Sequence, residues 1–530
     1  MSAASPGRVA EDESTLDRRW LVLVVVALAQ LMVVLDGTIV NIALPSAQQA
    51  LGFSNSDRQW VVTAYALSFG SLLLVGGRLG DMFSRKWVFV AGLVGFAIAS
   101  AIGGAAGSFV VLVTARALQG VFGAVLAPSA LGTLVSAFND PRERARAFGV
   151  FGSVAAGGSA VGLILGGVLT EYLSWRWCLY INLVFAAIAV AGALAYIRGG
   201  RPARRPRMDW PGAVLACAGL LAIVFGFSHA ETAGWTATLT LGALVGGVVL
   251  LAGFILAERR ARHPLLPLRV IADRARGGAY VALGISGIAI FGTFLFLTFY
   301  LQVVKGESPL TTGLLFLPIT GCILISSNLS SAIGLGPRTL IAAGMLLDAV
   351  GMALLTQVTV TSSYVSAVLP ALLILGLGLG LIFAQTINTA TAGLAREDSG
   401  VASALVNTMQ QVGGSVGTSA LSTVALSATA TYLIAHPTGP LAAAVAATHG
   451  YTIAFGVSAG LLGLGFILAI VLLPSRRRLV DLVDAGAATP AVPTPPARAE
   501  QQASEAIPVA LCGCSPVITT IAGSSGPGRD

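Results

Sequence analysis

Leu35-Asp36-Gly37-Thr38-Ile39-Val40-Asn41-Ile42-Ala43-Leu44-Pro45 puts a carboxylate inside an apolar run that begins near Trp20. A charged side chain at mid-bilayer costs roughly 2.5–3.5 kcal/mol on insertion scales, so Asp36 needs a reason to be there. The reasons that such positions have are a proton or ion relay, or a buried ion pair. The run reads as a membrane span because of its company. Hydrophobic residues are 55% of the chain and charged residues 10%, with a mean hydropathy of +0.85. About a quarter of an ordinary globular sequence is charged, and such a chain cannot hide this much apolar surface. The runs are continuous rather than short and alternating, which excludes an outer-membrane barrel.

Fourteen runs are long enough to span, at roughly 20 apolar residues per crossing. They lie near 20–44, 59–79, 87–107, 109–135, 147–169, 178–197, 210–229, 235–257, 277–302, 311–333, 338–358, 363–386, 402–428 and 449–473. An even number puts both termini on one side. Alternate connections, counted from the N-terminus, carry 24 Arg and Lys residues, and the opposite connections carry only Arg58, Arg176 and Lys305. By the positive-inside rule both termini are expected to be cytoplasmic. The net charge of +8 follows from this bias, and no nucleic-acid partner is expected. Ala27-Leu28-Ala29 after Arg18-Arg19 imitates a signal-peptide cleavage site, but the apolar run continues to Leu44, so an uncleaved first span is read.

The spans group as 6 + 2 + 6. Residues 1–17 read as a cytoplasmic N-terminal tail, and 18–200 as an N-terminal six-helix bundle. Residues 201–276 hold two extra transmembrane helices with flanking basic loops, and 277–474 form a C-terminal six-helix bundle. Asp209 caps the seventh span, with Pro211 in its first turn. The tail 475–530, rich in Ala, Pro, Ser and Thr, reads as disordered and cytoplasmic. Two six-helix halves around a midplane site make a transporter architecture.

Several chemistries are absent. The chain has two lysines, Lys86 and Lys305, and neither stands in a GxxxxGK[ST] frame, so no P-loop is present. The GxSxG matches at 413–417 and 456–460 lie in apolar helical runs rather than at strand-to-helix elbows. Four scattered histidines form no HExxH. Cys178, Cys217 and Cys322 fall at or within spans, and Cys512 and Cys514 lack metal-ligand spacing. No enzyme, metal or cofactor is expected.

Three constellations remain. The loop after the second span reads Gly76-Gly77-Arg78-Leu79-Gly80-Asp81-Met82-Phe83-Ser84-Arg85-Lys86. It carries both charge signs beside helix ends, where Arg85 and Lys86 can meet carbonyl ends or lipid phosphates. In the fourth span Arg116, Gln119, Gly120 and Gly123 share one helical face. A membrane-buried guanidinium needs an acceptor, and Asp36 is the natural candidate; the alternatives are a proton switch and a permanent structural ion pair. In the fifth span Gly158, Gly162 and Gly166, with Gly167 beside them, form a groove that lets another helix approach closely.

Together these pieces resemble the fourteen-helix drug/proton antiporter family of the major facilitator superfamily, over roughly residues 20–474. Trp175-Arg176-Trp177 with Asn182, and Asn407-Thr408-Met409-Gln410-Gln411-Val412-Gly413-Gly414, also fall where that family has motifs. The resemblance implies an all-α integral membrane protein with the major facilitator fold. It implies proton coupling at Asp36 and Arg116, and a cytoplasmic gate at Gly77, Asp81, Arg85 and Lys86. Gly158, Gly162, Gly166 and Gly167 then stand as the antiporter-motif glycines. Two positions depart from the family pattern. Leu163 stands where the fifth-span motif has Pro, and Ser84 stands where the loop motif has its second Gly. The second-half counterpart of the loop, 334–338, has lost its acid.

A pocket of aromatics and amides suits flat amphipathic molecules, and takes cations through ring faces. The residues expected to line it are Trp60, Tyr65, Asn182, Phe296, Phe299, Tyr300, Gln385, Asn407 and Gln411. Asp348 in the eleventh span is expected to play a supporting role, because the analogous helix of the superfamily is peripheral. The expectation is a monomeric exporter of small hydrophobic or cationic drugs, driven by the proton gradient, in the cell membrane and in contact with its lipid. The rivals are a facilitator-fold exporter of an endogenous lipid, siderophore or metabolite and, from a different class, a membrane enzyme or scaffold.

Overall fold

The computed structural model describes residues 6–138, 140–197, 199, 209–261, 264–266, 268–391, 396–436, 439 and 441–474. The tail 475–530 and most of the Arg-rich connector 198–208 lie outside the described residues. Among the described residues every regular element is a helix. Fourteen helices are long and apolar enough to cross a membrane. They are α1 (Arg18–Leu51), α2 (Arg58–Gly80), α3 (Arg85–Gly104), α4 (Phe109–Ala137), α5 (Arg142–Tyr172), α6 (Trp177–Tyr196) and α7 (Trp210–Ala230). The rest are α8 (Thr238–Arg260), α9 (Arg274–Val304), α10 (Pro309–Ser330), α11 (Pro337–Leu355), α12 (Tyr364–Ala390), α13 (Ala404–Ala435) and α14 (Ala442–Leu472). Each overlaps one of the fourteen expected spans. The first helix starts at Pro6, so most of the segment read as a tail is helical.

Local chemistry sets the ends. Asp140 accepts from the amides of Arg142 and Glu143, with Pro141 in the first turn, and so starts α5. Asp209 accepts from the Gly212 amide and starts α7 as expected. α9 widens into a π-helical turn at Tyr300–Val304. α10 is broken at Phe316, just before Pro318, because proline has no amide to continue the ladder.

The two six-helix halves repeat one packing scheme. In the first half α5 lies against α1, and in the second α13 lies against α9. Glycines make both contacts close: Gly158, Gly162 and Gly166 face Leu31, Thr38 and Ile39 of α1. Gly413 and Gly417 meet Gly284 and Ile288 of α9. The seam between halves uses α2 with α13 and α5 with α10, the second and fifth helices of each half exchanged. The extra pair, α7 and α8, pack on each other, and α7 sits against α2 and α13 at the first seam.

With little hydrophobic drive between helices in lipid, close backbone approach must hold such a bundle. Neighbouring glycines therefore differ in what they tolerate. A methyl group at Gly76 would collide with the Ala124 carbonyl of α4, whereas one at Gly77 would rest 3.7 Å from the Pro128 side chain. Gly76→Ala is expected to destabilise the protein by about 1–3 kcal/mol, the usual overpacking cost, and Gly77→Ala to leave stability unchanged. Thermal unfolding of the two purified variants checks the contrast; equal midpoints would refute it.

Candidate functional site

Asp36 and Arg116 meet. Asp36 is 0% exposed and Arg116 2%, and Arg116 NH1 donates to Asp36 Oδ2 at 2.6 Å. The other carboxylate oxygen, Oδ1, accepts from Gln119 Nε2 and Asn182 Nδ2, both at 2.8 Å. Ser100 Oγ lies within reach of both amides, at 2.7 and 3.4 Å. Arg116 is held as tightly: its Nε donates to the Val61 carbonyl at 3.1 Å, and NH1 also reaches Gln119 Oε1 at 2.9 Å. Its guanidinium carbon sits 4.4 Å from the centre of the Tyr65 ring. A buried charge is tolerable only when paired and hydrogen-bonded, and both charges here meet that condition. Every partner comes from α1, α2, α3, α4 or α6, so the network is internal to the first half.

Beside this network lies a cavity of about 300 Å³, lined from both halves. α1 contributes Gln30, Gly37 and Asn41, α2 contributes Tyr65 and Phe69, and α4 contributes Arg116. Phe151 of α5 also lines it, with Phe291 and Phe294 of α9 and Asn407, Gln410 and Gln411 of α13. Of the nine residues expected at a substrate pocket, Tyr65, Asn407 and Gln411 are at this wall. Asn182 is a ligand of Asp36 instead. Phe296, Phe299 and Tyr300 are buried on another face of α9, where Phe296 stacks on Tyr451 and Tyr300 donates to the Thr359 carbonyl. Gln385 bonds Ser330, between α12 and α10. Trp60 is half-buried away from the cavity wall. On α9 residues 290, 291 and 294, rather than the expected cluster, face the cavity. Spacing on α1 also held a signal that went unread, since Gln30, Gly37 and Asn41 recur on one helical side.

At the end of the bundle rich in basic residues, cations meet helix C-termini. Arg18 donates to the Tyr196 and Ala195 carbonyls, Lys86 to Leu194 and Arg85 to Gly132. The side chain of Asp81 lies outside the described residues. Arg78, counted from the sequence only among the basic residues of this end, donates to the Pro264 carbonyl at 2.6 Å. It thereby ties α2 to the loop that follows α8. The same loop is held by Glu258, whose carboxylate accepts from the Leu265 and Leu266 amides.

The opposite end is closed across the halves. Gly167 of α5 faces the Leu310 backbone of α10, and Gly313 of α10 faces the Leu163 carbonyl. The glycines of α5 therefore serve two partners, and Gly167 belongs to the seam rather than to the α1 groove. Gln302 donates to the Ile42 carbonyl, and Glu171 accepts from the Leu310 amide. Arg58, read from the sequence as a loop charge, is instead 2% exposed. Its guanidinium lies 4.2 Å from the Phe299 ring centre, and NH1 donates to the Tyr451 hydroxyl at 3.2 Å. Asp348 is buried against Gly378 of α12, remote from the Asp36 network.

Removing Arg116 leaves Asp36 without its cation. Arg116→Ala is expected to cost about 3–5 kcal/mol, as breaking a buried pair does. The double variant Asp36→Asn/Arg116→Ala is expected to be more stable than Arg116→Ala alone. Additive losses in denaturation of Asp36→Asn, Arg116→Ala and the double variant would show that the pair is not coupled.

The chain matches the family described as the Major Facilitator Superfamily over residues 26–418. It is 49% identical over 481 residues to the puromycin resistance protein of Streptomyces alboniger, covering 90% of this chain and 95% of that one. It is 38% identical over 421 residues to the cephamycin export protein of Amycolatopsis lactamdurans, covering 77% and 85%. Among solved structures it is similar to a bacterial homologue of the human lysosomal transporter Spinster, with a TM-score of 0.63 and 14% identity, covering 89% and 99%. That likeness is one of fold. The chain belongs to the major facilitator superfamily: it is a multi-pass membrane transporter of the drug-efflux type, and not an enzyme.

Proposed function

We propose that this transporter exports an antibiotic or similarly drug-like small molecule across the cell membrane by alternating access, in exchange for protons moving inward. The observation that carries the reading is the double contact of Arg116, which holds the Asp36 carboxylate and also lines the cavity. Protonation of Asp36 removes the negative charge that holds the guanidinium. Arg116 then rearranges at the cavity wall, where a bound molecule feels it. Occupancy of the cavity and protonation of Asp36 thus bear on one side chain, which is the linkage an exchanger needs. The relatives named for antibiotic export and resistance support the substrate class. The excess of Arg and Lys on one end supports placing that end in the cytoplasm, where the cavity would load. Gly77, Asp81, Arg85 and Lys86 would then stand at the cytoplasmic gate.

The test uses proteoliposomes with an acid interior and a fluorescent pH probe. Lipophilic cations, dyes and neutral antibiotics are added to wild type and to Asp36→Asn. The expected outcome is proton efflux triggered by a compound in wild type and lost in Asp36→Asn. Efflux surviving in Asp36→Asn would move the proton site elsewhere, and silence toward every compound from folded protein would overturn the exchanger.

A further inference from the structure

We infer that the cavity takes its substrate without a fixed positive charge, as an aromatic molecule held through hydrogen bonds to carboxamides from both halves. This rests on the reading of the cavity as the transport site. Among the described residues no acid lines the cavity, and the one formal charge at its wall is the cation Arg116. The nearest carboxylate is Asp36, which is fully buried and already accepts from Arg116, Gln119 and Asn182. Nothing is left over to neutralise a second cation. The Tyr65 ring already carries the Arg116 guanidinium, and the Phe69, Phe151, Phe291 and Phe294 rings at the wall supply no countercharge. A permanent cation entering this space would lose its hydration and gain repulsion.

What the wall does offer is amide chemistry. Gln30 on α1 and Gln410 and Gln411 on α13 reach the cavity from opposite halves. Among the described residues, none of these three carboxamides has a hydrogen bond within the protein, in contrast to Asn41, whose amide is spent on the Gly37 carbonyl. Each free carboxamide supplies two donors and an acceptor. Phe291 and Phe294 provide flat apolar surface between them. The fitting ligand has an aromatic body with amide or hydroxyl groups at two ends, so that one molecule bridges α1 and α13. An anionic group would also be tolerated beside Arg116. Of the hydrophobic or cationic drugs expected from the sequence, the cationic ones fit this wall poorly.

The full chain in lipid nanodiscs is titrated with two probes. Chloramphenicol is uncharged, aromatic and bears an amide and hydroxyls; tetraphenylphosphonium is a permanent cation with no hydrogen-bonding group. Chloramphenicol is expected to bind at least about tenfold more tightly, the factor that one 1.4 kcal/mol difference gives. Gln30→Leu, Gln410→Leu and Gln411→Leu are each expected to weaken it about two- to tenfold, the worth of one neutral hydrogen bond. Gln411→Glu is expected to admit tetraphenylphosphonium, a gain that a misfolded variant would not show. Equal or tighter binding of the cation to wild type, unchanged chloramphenicol binding in all three Leu variants, binding of neither probe, or no gain in Gln411→Glu would each overturn the inference. Proton flux driven by a cation and lost in Asp36→Asn would sink this inference while leaving the exchanger standing.

Discussion

A carboxylate and a guanidinium facing each other at 2.6 Å, both almost wholly buried, constrain most of the first half. The cost of stripping two ions of water is several kcal/mol each, and mutual attraction offsets it only when the remaining lone pairs and protons are also satisfied. That requirement explains why polar residues appear in four otherwise apolar helices. Gln119 and Asn182 complete the carboxylate, Ser100 takes up amide protons of both, and the Val61 carbonyl takes the Nε proton of Arg116. Removing one member would leave a buried charge or an orphaned amide, so the set behaves as a unit.

Such a network needs helices closer together than ordinary side chains allow. Gly120 lies on the Arg116 face of α4 and lets the Tyr65 and Ser68 region of α2 approach its backbone. Tyr65 can then cover Arg116 from one side. Across the molecule the same device sets α1 into the groove of α5. The seam and the interior of the first half are thus built with the same residue type; the difference lies in what else crosses the contact.

The fold was legible because membrane spans are written in length and apolarity alone, and the fourteen runs needed no packing information. Asp36 and Arg116 were legible for the complementary reason: an isolated charge in an apolar run must have a partner, and few were on offer. The glycine grooves of α5 were visible as spacing. Other features hid for physical reasons. In lipid, the side of a helix that faces the bilayer is as apolar as the side that packs, so α9 gave no amphipathic clue to separate Phe291 and Phe294 from Phe296 and Phe299. Arg58 sits at a helix start, where arginines ordinarily meet water. Only the fold shows that two rings from the second half enclose it. Asn182 was identified as polar and functional, but its role depends on which helix faces α1, which no spacing within α6 reveals.

The division of strong and weak contacts bears on how the protein can alternate. Every hydrogen bond to Asp36 comes from the first half, so a rigid-body movement of one half against the other would not by itself break the pair. The contacts that cross at the closed end are of another kind. A cation over an aromatic ring contributes about 0.5–2 kcal/mol, and Gln302 and Glu171 add single hydrogen bonds to backbone. Their sum is of the size that separates two populated conformations, and no carboxylate among the described residues anchors Arg58. Under the proposed exchange mechanism, these polar contacts set only a modest part of the cost of opening the seam, and the glycine packing of Gly167 and Gly313 adds to it. A change in the position of Arg116, which lines the cavity between the halves, is placed to offset part of that cost.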